Sequence, residues 1–188
     1  MKKKNIKIIL LLASKVFGGA EKNLKRNIES TGFPYLILEK NDFLQIFKTI
    51  FLNNRVVLIP LGFRNSILSR LIKILFFRKI YLISSIRATE YQKSEFRIIL
   101  DRCSSFLVDK WVSNSFAGKN IYVGREKIKS NKISVIYNTP LTNTKDINPN
   151  VLGNLKTVNI LLIGHIRQEK GYNKLAEIVE ILAKTEIP

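Results

Sequence analysis

Apolar and polar positions follow two alternating patterns along the chain. Short apolar runs, typical of strands buried on both faces of a parallel sheet, occur at seven places. They cover residues 6–12, 35–38, 56–61, 80–86, 111–113, 133–137 and 160–163. Between these runs, apolar residues recur at helical spacing. Strands that alternate with helices in this way predict an α/β fold built on a doubly wound parallel sheet.

The intervening segments predict helices with recognisable starts. Gly18-Gly19 opens the first helix, and Asp42 starts the second, with Phe43 among its inward-facing residues. A third helix is predicted at about residues 65–77, and a fourth follows Thr89. The fourth has the clearest apolar stripe, which we expect to face the core. Its members are Phe96, Ile99, Leu100, Cys103, Phe106 and Leu107.

The last third of the chain predicts a cap, a linker and a second domain. The sequence Ser113-Asn-Ser115 supplies caps for a helix over residues 116–123. Residues 139–157 are rich in Asn, Thr, Pro and Gly and lack periodicity, which indicates a linker. The predicted organisation is therefore a domain at 1–138, a linker at 139–157, and the first strand and helix of a second domain at 158–188.

Composition indicates a folded and strongly basic protein. The 188 residues are 46% hydrophobic and carry a formal net charge of +18. Such a field attracts phosphate-rich ligands, nucleic acid or anionic lipid. Because the cations are spread along the whole chain, we do not expect nucleic acid, whereas a membrane surface and sugar nucleotides stay open as partners. The single cysteine, Cys103, excludes an internal disulfide and fits an intracellular setting.

The first candidate site is Gly18-Gly-Ala-Glu21, at the carboxyl end of the first predicted strand. Open α/β sheets bind ligands in the crevice at this edge, and glycines at Gly18 and Gly19 let the backbone come close to a ligand. A tight turn without a ligand explains the two glycines equally well. Glu21 either faces the cleft or complements the helix dipole.

The second candidate is Arg87, at the carboxyl end of the strand at 80–86. Its guanidinium suits a phosphate or carboxylate in the same crevice, and a surface ion pair with Glu90 is the alternative. A separate segment, residues 64–78, mixes apolar residues with cations. This pattern fits either an interfacial membrane helix or an ordinary crossover helix with one solvated edge.

The third candidate is the loop from Gly164 to Gly171, between a predicted strand and a predicted helix. Free backbone N–H groups and the helix dipole make such a loop an anion site. Arg167 and Lys170 are the phosphate-binding candidates. His165, the only histidine, is either structural or part of this site. The alternative for the whole loop is a solvated turn, and no His or Cys cluster has metal-ligand spacing.

In order along the chain, these segments resemble the family-four glycosyltransferases, which are retaining enzymes with the two-domain GT-B fold. The matching motifs are Gly18-Gly-Ala-Glu21, Ser85-Ile-Arg87, Trp111-Val-Ser-Asn-Ser115, Lys132-Ile-Ser-Val-Ile-Tyr-Asn138, and residues 161–171. They cover essentially the whole chain. The resemblance implies that residues 1–138 form the Rossmann-like N-terminal domain of a GT-B fold.

The resemblance also implies a division of labour. The N-terminal domain holds a glycan or lipid-linked acceptor, with Gly18, Gly19, Glu21 and Arg87 facing the cleft. The donor domain binds the diphosphate of a nucleotide-sugar through Gly164, His165, Arg167 and Lys170. The family has an arginine where this chain has His165, with Arg167 two residues further on, and either His165 or Arg167 is expected to take the place of that arginine. No metal or other cofactor is implied, and catalytic residues stay unassigned.

The resemblance predicts an incomplete enzyme. The family's paired glutamates lie well inside the donor domain, so we expect them beyond Pro188 and expect this chain to be truncated and inactive alone. The expected function is sugar transfer from a nucleotide-sugar in surface polysaccharide or lipopolysaccharide assembly. The expected place is the cytoplasm or the inner membrane face. The alternatives are a non-catalytic glycan- or lipid-binding half-domain that pairs with a separate donor domain, and a basic nucleic-acid-binding protein.

Overall fold

A computed structural model describes residues 6–12, 19–39, 41–86, 93–138 and 174–184. The described strands are β1 (Ile6–Leu12), β2 (Tyr35–Glu39), β3 (Arg55–Pro60), β4 (Ile80–Ile86), β5 (Lys110–Ser113) and β6 (Ile133–Val135). The described α-helices are α1 (Gly19–Glu29), α2 (Phe43–Leu52), α3 (Phe63–Leu75), α4 (Glu95–Ser104), α5 (Phe116–Gly124) and α6 (Leu175–Lys184). Two short 3₁₀ turns, Ser105–Leu107 and Ser130–Lys132, precede β5 and β6.

The six strands form one parallel sheet in the order β2-β1-β3-β4-β5-β6. Strand β1 pairs with β2 on one side and with β3 on the other, with Ile8 opposite both Tyr35 and Val57. The chain therefore reverses its direction across the sheet after β2. This reversal makes the sheet doubly wound and Rossmann-like, which confirms the predicted fold class.

The apolar run of β1 is explained by burial on both faces. Ile9 and Leu11 pack into the larger core, on the side of α2, α3 and α5. Ile8, Leu10 and Leu12 pack into a second core, on the side of α1. Since successive strand residues point to opposite faces, a strand covered by helices on both sides needs apolar residues at every position.

The apolar stripe predicted to face the core is wrong at four of its six members. Phe96, Ile99 and Phe106 are more than half exposed, and Cys103 is also exposed, whereas Leu107 is buried and Leu100 is half-buried. The side of α4 that faces inward carries Ile98 and Asp101, which are buried. The physical reason is a buried cation opposite Asp101, because an ion pair can hold a polar helix face against the core.

The start of α2 follows the prediction with two differences. The helix begins after Asp42, but the Asp42 carboxylate accepts a 2.8 Å hydrogen bond from the Glu39 N–H and does not cap the helix. Phe43, predicted to face inward, is 41% exposed, whereas Ile46 and Ile50 are fully buried. The predicted core face of α2 therefore begins one turn later than expected.

The chain forms two compact units, Met1–Pro140 and Leu141–Pro188. The first unit contains the sheet. In the second unit the structure describes the helix predicted after Gly171, which is α6 with a short preceding turn. The predicted linker at 139–157 and the strand at 160–163 lie outside the described residues. The domain boundaries therefore stay predictions.

Candidate functional site

The reversal of the sheet places its natural binding edge at the carboxyl ends of β1 and β3. Helices α1 and α3, which follow these two strands, lie on opposite faces of the sheet, and the crevice between them is where doubly wound folds bind ligands. Since all strands are parallel, the N-termini of α1, α3 and α5 meet the same edge. Their free N–H groups and dipoles favour anionic or hydroxyl-bearing ligands.

The start of α1 carries two of the predicted cleft residues. Gly19 is exposed, and a Cβ added there would meet no atom within 4 Å. Nothing in the described protein therefore requires glycine at this position, which leaves an open approach to the backbone. Glu21 lies in the first turn of α1 and is half-buried. Gly18, the other predicted glycine, lies outside the described residues.

The turn from β3 into α3 builds a second part of the edge, which the sequence reading missed. Gly62 has φ of 86°, a left-handed conformation that favours glycine. The buried Asn65 side chain donates to the Leu61 carbonyl at 2.9 Å and to the Leu11 carbonyl at 3.3 Å. Asn65 thus ties the end of β1 to the loop after β3. The signal in the sequence was Leu61-Gly62 followed by an amide three residues later.

The carboxyl end of β4 is partly described. Ser84 is buried, and its hydroxyl lies 3.4 Å from that of Ser66 on α3. Arg87, the predicted anion-binding residue, lies outside the described residues. Another arginine reaches this edge: the Arg97 guanidinium lies 4.9 Å from the centre of the Phe63 ring, at the first residue of α3. Sequence reasoning missed Arg97 because it assigned this helix by its apolar stripe.

The Trp111 to Ser115 motif is a structural element of the edge. The Ser115 hydroxyl caps α5 by accepting from the Gly118 N–H at 3.1 Å, as predicted. The fully buried Ser113 hydroxyl donates to the Ser115 carbonyl at 2.8 Å. Gly118 lies so close that an added Cβ would be 2.7 Å from the Ser113 hydroxyl oxygen. The motif therefore fixes the turn from β5 into α5 and its free N–H groups.

A network of buried charges lies beneath this edge and joins three helices. Arg70 of α3 pairs with Asp101 of α4 at 2.7 Å. Lys93 pairs with the other oxygen of Asp101 and, at 2.9 Å, with Glu126 after α5. These four side chains are at least 93% buried, and they balance as two cations and two anions. Arg125, which is partly exposed, adds a second contact to Glu126 at 2.8 Å.

Aromatic rings enclose the cations of this network. The Arg70 guanidinium lies 5.4 Å from the centre of the buried Trp111 ring. The Lys93 ammonium lies 4.7 Å from the centre of the Tyr122 ring and 3.4 Å from its hydroxyl. Stacking over ring faces stabilises both charges in a site that excludes water. Trp111 of the predicted motif thus has a packing role.

The network raises two pKa values. Burial alone lowers the pKa of Lys93, but Tyr122, Asp101 and Glu126 together outweigh burial and raise it above the usual 10.5. Burial raises the pKa of Tyr122 above its usual 10.0, and the nearby Asp101 and Glu126 add to this effect while Lys93 opposes it. Near neutral pH, Lys93 is therefore charged and Tyr122 is neutral.

The predicted donor-side residues lie outside the described residues. They are Gly164, His165, Arg167 and Lys170. The structure therefore tests neither their grouping nor their distance from Glu21. Among the described residues there is no group of three His, Cys, Asp or Glu side chains with the geometry of a metal site. No described helix combines the length and the apolar character needed to cross a bilayer.

Solved structures with the same architecture identify the fold. Two crystal structures of the Anabaena protein HepE, in complex with UDP and with UDP and glucose, match with a TM-score of 0.53 and 14% sequence identity. Each match covers 70% of this chain and 44% of the HepE chain. HepE is a glycosyltransferase with the GT-B fold. The sheet domain has a GT-B-type Rossmann fold.

A second glycosyltransferase appears among the similar structures. The apo form of WaaB, a lipopolysaccharide outer core galactosyltransferase, matches with a TM-score of 0.48 and 14% identity. That match covers 73% of this chain and 47% of the WaaB chain. No protein-family model matches the chain, and no curated protein matches its sequence. The chain thus spans less than half the length of the structures that it matches.

The HepE likeness confirms the fold that the sequence motifs implied. An identity of 14% establishes architecture, because folds host many functions and function depends on the site. The described residues supply the carboxyl edge of the sheet, with Gly19, Glu21 and Asn65. The cationic loop expected to bind a diphosphate stays a sequence prediction.

Proposed function

We propose that this chain belongs to a retaining glycosyltransferase that moves a sugar from a nucleotide-sugar donor to a glycan or lipid-linked acceptor. The observation that carries the proposal is the likeness of the parallel sheet to HepE, which was crystallised with UDP and with UDP and glucose. The ordered motifs of the sequence support it independently. The proposed setting is surface polysaccharide or lipopolysaccharide assembly.

The proposed substrates bind at two different places, the carboxyl edge of the sheet and the loop after residue 163. The carboxyl edge of the sheet, with Gly18, Gly19, Glu21 and Arg87, receives the acceptor. The loop after residue 163 binds the donor diphosphate. The proposed ligands are the backbone N–H of Gly164 and the side chains of His165, Arg167 and Lys170. Cations placed on the leaving diphosphate stabilise the charge that develops there and lower the barrier to transfer. These cations take the place of a metal ion, so no metal or cofactor is proposed.

The chain matches 44% of HepE, so the activity of the chain alone is a separate question. We propose that the 188 residues bind nucleoside diphosphate weakly and do not turn over nucleotide-sugar. The alternative is a non-catalytic half-domain that holds a glycan or lipid and pairs with a separate donor domain. Glycan binding without any binding of UDP would favour that alternative. We further propose a cytoplasmic location with peripheral attachment to the inner membrane face.

The experiment for the donor site is saturation-transfer NMR with UDP, which detects weak binding. The full chain should bind UDP, and a chelator should leave the signal unchanged. Replacing both Arg167 and Lys170 by alanine should weaken binding roughly tenfold or more, since hydrogen bonds to charged groups contribute about 1.5–3 kcal/mol each. The exposed Lys129→Ala is the matched control. Absence of UDP binding, or equal binding by the double variant, would exclude this donor site.

A further inference from the structure

The outward faces of α2 and α3 are apolar at their C-terminal ends, where a solvent-facing helix surface is normally polar. On α3, Leu71, Ile74 and Leu75 have the i, i+3, i+4 spacing of one helix face, and each is at least 57% exposed. On α2, Phe51 and Leu52 are 66% and 74% exposed. Phe77, just beyond α3, is 66% exposed as well. Single exposed apolar residues are common, but a group on two neighbouring helices indicates a contact surface.

These residues belong to one continuous surface at the amino-terminal edge of the sheet. The Phe51 ring packs on Phe76 with centres 5.2 Å apart, which joins the end of α2 to the end of α3. The Lys79 ammonium donates to the Phe51 carbonyl at 3.2 Å and lies 5.9 Å from the centre of its ring. We define the amino-edge surface as Phe51, Leu52, Leu71, Ile74, Leu75 and Phe77 with the neighbouring cations.

The segment that forms this surface is rich in cations. From residue 43 to residue 89 the chain contains eight Lys or Arg and no Asp or Glu. Two of the eight, Arg70 and Lys73, are buried and paired with the later acids Asp101 and Asp109, so the charge of the surface comes from the exposed cations. Arg55, Arg78 and Lys79 line a cavity of about 290 Å³ at the amino ends of β1, β3 and β4. Arg55 and Arg78 are exposed. A cluster of cations next to an open concave space is a natural place for anionic phosphate groups.

We propose that the amino-edge surface docks on a bilayer that contains anionic phospholipid. The apolar side chains of α2 and α3 enter the interface, and Arg55 and Arg78 contact lipid phosphates. A surface that combines exposed apolar residues with cations has the composition of interfacial membrane helices. This inference names the surface for the membrane attachment proposed above, and it does not depend on glycosyl transfer.

Other occupants fit the surface less well. Proteins bind nucleic acid mainly through cationic and polar side chains. A nucleic-acid partner would therefore leave the exposed Leu71, Leu75 and Phe77 without contacts. A second copy of the chain would bring two surfaces of the same positive sign together, which costs free energy in a protein of net charge +18. An anionic bilayer satisfies both the apolar and the charged part of the surface.

The docking geometry leaves the candidate site accessible. The amino-edge surface lies at the opposite end of the strands from Gly19, Glu21 and Asn65, because α2 and α3 run antiparallel to the strands that they connect. The carboxyl edge of the sheet domain therefore points away from the bilayer when the amino edge is docked. A glycan acceptor in solution reaches that edge without displacing the membrane contact. An acceptor whose lipid lies in the same bilayer does not, so this docking geometry favours the glycan acceptor of the proposed function.

The test is vesicle co-sedimentation of the full chain. Vesicles of phosphatidylcholine and phosphatidylglycerol in equal amounts should bind it, and phosphatidylcholine alone should bind far less. The variant Leu75→Gln with Phe77→Gln should weaken binding roughly tenfold or more. Arg55→Gln with Arg78→Gln should weaken it by roughly 10–30-fold at low salt. Both variants change exposed side chains, and circular dichroism and thermal unfolding check that they fold.

Matched controls distinguish binding by this surface from non-specific effects of net charge and of exposed apolar residues elsewhere. Phe96→Gln with Ile99→Gln removes two equally exposed apolar residues from α4, and Lys22→Gln with Arg26→Gln removes two exposed cations from α1. Both control variants should bind vesicles like the unchanged chain. Equal losses in control and test variants would overturn the proposal, and so would no binding to the anionic vesicles.

Two further results would assign the surface to another occupant and so contradict the proposal. One is duplex DNA binding that Arg55→Gln with Arg78→Gln weakens, in the absence of vesicle binding. The other is a dimer in sedimentation velocity that Leu75→Gln with Phe77→Gln dissociates, again without vesicle binding. Vesicle co-sedimentation, DNA binding and sedimentation velocity do not involve sugar nucleotide. A negative result in the UDP-binding experiment therefore does not affect the test of membrane docking.

Discussion

At the scale of single residues, Gly118 is the one glycine of the described residues at which an added Cβ would meet other atoms. The first turn of α5 passes directly over the end of β5, and a Cβ at Gly118 would also lie 3.4 Å from the Ile86 side chain. The Ser113 hydroxyl oxygen cannot move away without losing its hydrogen bond to the Ser115 carbonyl. Glycine is therefore required here by space and not by backbone conformation.

We expect Gly118→Ala to destabilise the protein. Overpacking a closed site costs about 1–3 kcal/mol, and the better helix propensity of alanine returns up to about 1 kcal/mol. With the full propensity gain subtracted, the expected net loss is about 1 kcal/mol, and at most about 2 kcal/mol, of unfolding free energy, measured by urea denaturation. Gly124→Ala, in the last turn of the same helix and with no atom near its Cβ, is the control. A stable Gly118→Ala variant would show that Ser113 has room to move.

The sequence predicted some of these residue roles. Ser115 was expected to cap α5, and it does, because an N-cap depends on local geometry that a short motif encodes. The role of Asn65 was not predicted, since its amide bonds the carbonyl of Leu11, which is far away in sequence. A contact of this kind depends on strand order, which no local pattern contains.

At the scale of elements, the buried charges connect α3, α4 and the segment after α5. Arg70, Asp101 and Glu126 belong to α3, α4 and the segment after α5, and Lys93 bonds both acids. Arg102 of α4 strengthens the link by donating to the Arg125 carbonyl at 2.8 Å. Because buried ion pairs need a fixed geometry, the network holds these elements in one arrangement.

We expect Lys93→Met to be strongly destabilising. Methionine keeps the size of the side chain but leaves Asp101 and Glu126 with fewer cations in a buried site. Breaking a buried pair in this way costs about 3–5 kcal/mol. Chemical denaturation of the variant checks this value, with the exposed Lys129→Met as control, for which the expected change is within about 0.5 kcal/mol. A loss below about 1 kcal/mol would mean that water reaches the network.

The same network explains why the stripe of α4 was predicted wrongly. Phe96, Ile99 and Phe106 form a regular apolar pattern, and such a pattern normally marks the buried side. Here the buried side contains Asp101, whose charge is neutralised by Arg70 and Lys93. Since these partners come from other parts of the chain, hydrophobic periodicity alone could not identify the inward face.

At the scale of the whole molecule, two groups link stability to alkaline pH. The pKa values of Lys93 and Tyr122 are raised above 10.5 and 10.0, so the folded state holds both protons more tightly than the unfolded state. A raised pKa contributes stability at low pH, and that contribution is lost as pH rises through the folded value. The protein should therefore lose stability above about pH 10, and these two groups cause no loss near neutrality.

We expect this loss to be smaller in Tyr122→Phe, which keeps the ring but removes one of the two protons. The measurement is the free energy of unfolding in urea from about pH 9 to about pH 11.5, compared with the unchanged chain. Tyr137→Phe, at an exposed tyrosine, should follow the unchanged chain. If Tyr122→Phe also follows it, the phenol does not contribute to the pH dependence.

The overall architecture was predictable because it is repetitive. Apolar runs such as Ile6–Leu12, separated by helical segments, allow few arrangements other than a doubly wound parallel sheet. The candidate site was predictable only as a location, namely the edge after β1. Its details depend on long-range contacts such as Asn65 with Leu11, and on Arg97, whose apolar neighbours in sequence concealed it.

The position of β1 between β2 and β3 has a consequence during synthesis on the ribosome. Ile6 pairs with Arg55, so β1 is synthesised well before β3 and its second side stays uncovered until β3 has been made. At roughly 5–20 residues per second, that interval lasts several seconds. Throughout it, the run from Ile8 to Leu12 has no complete core to enter. We therefore expect a ribosome-associated chaperone to bind this apolar run in the nascent chain. Removing that chaperone should lower the yield of folded protein without changing the stability of the protein once it is folded.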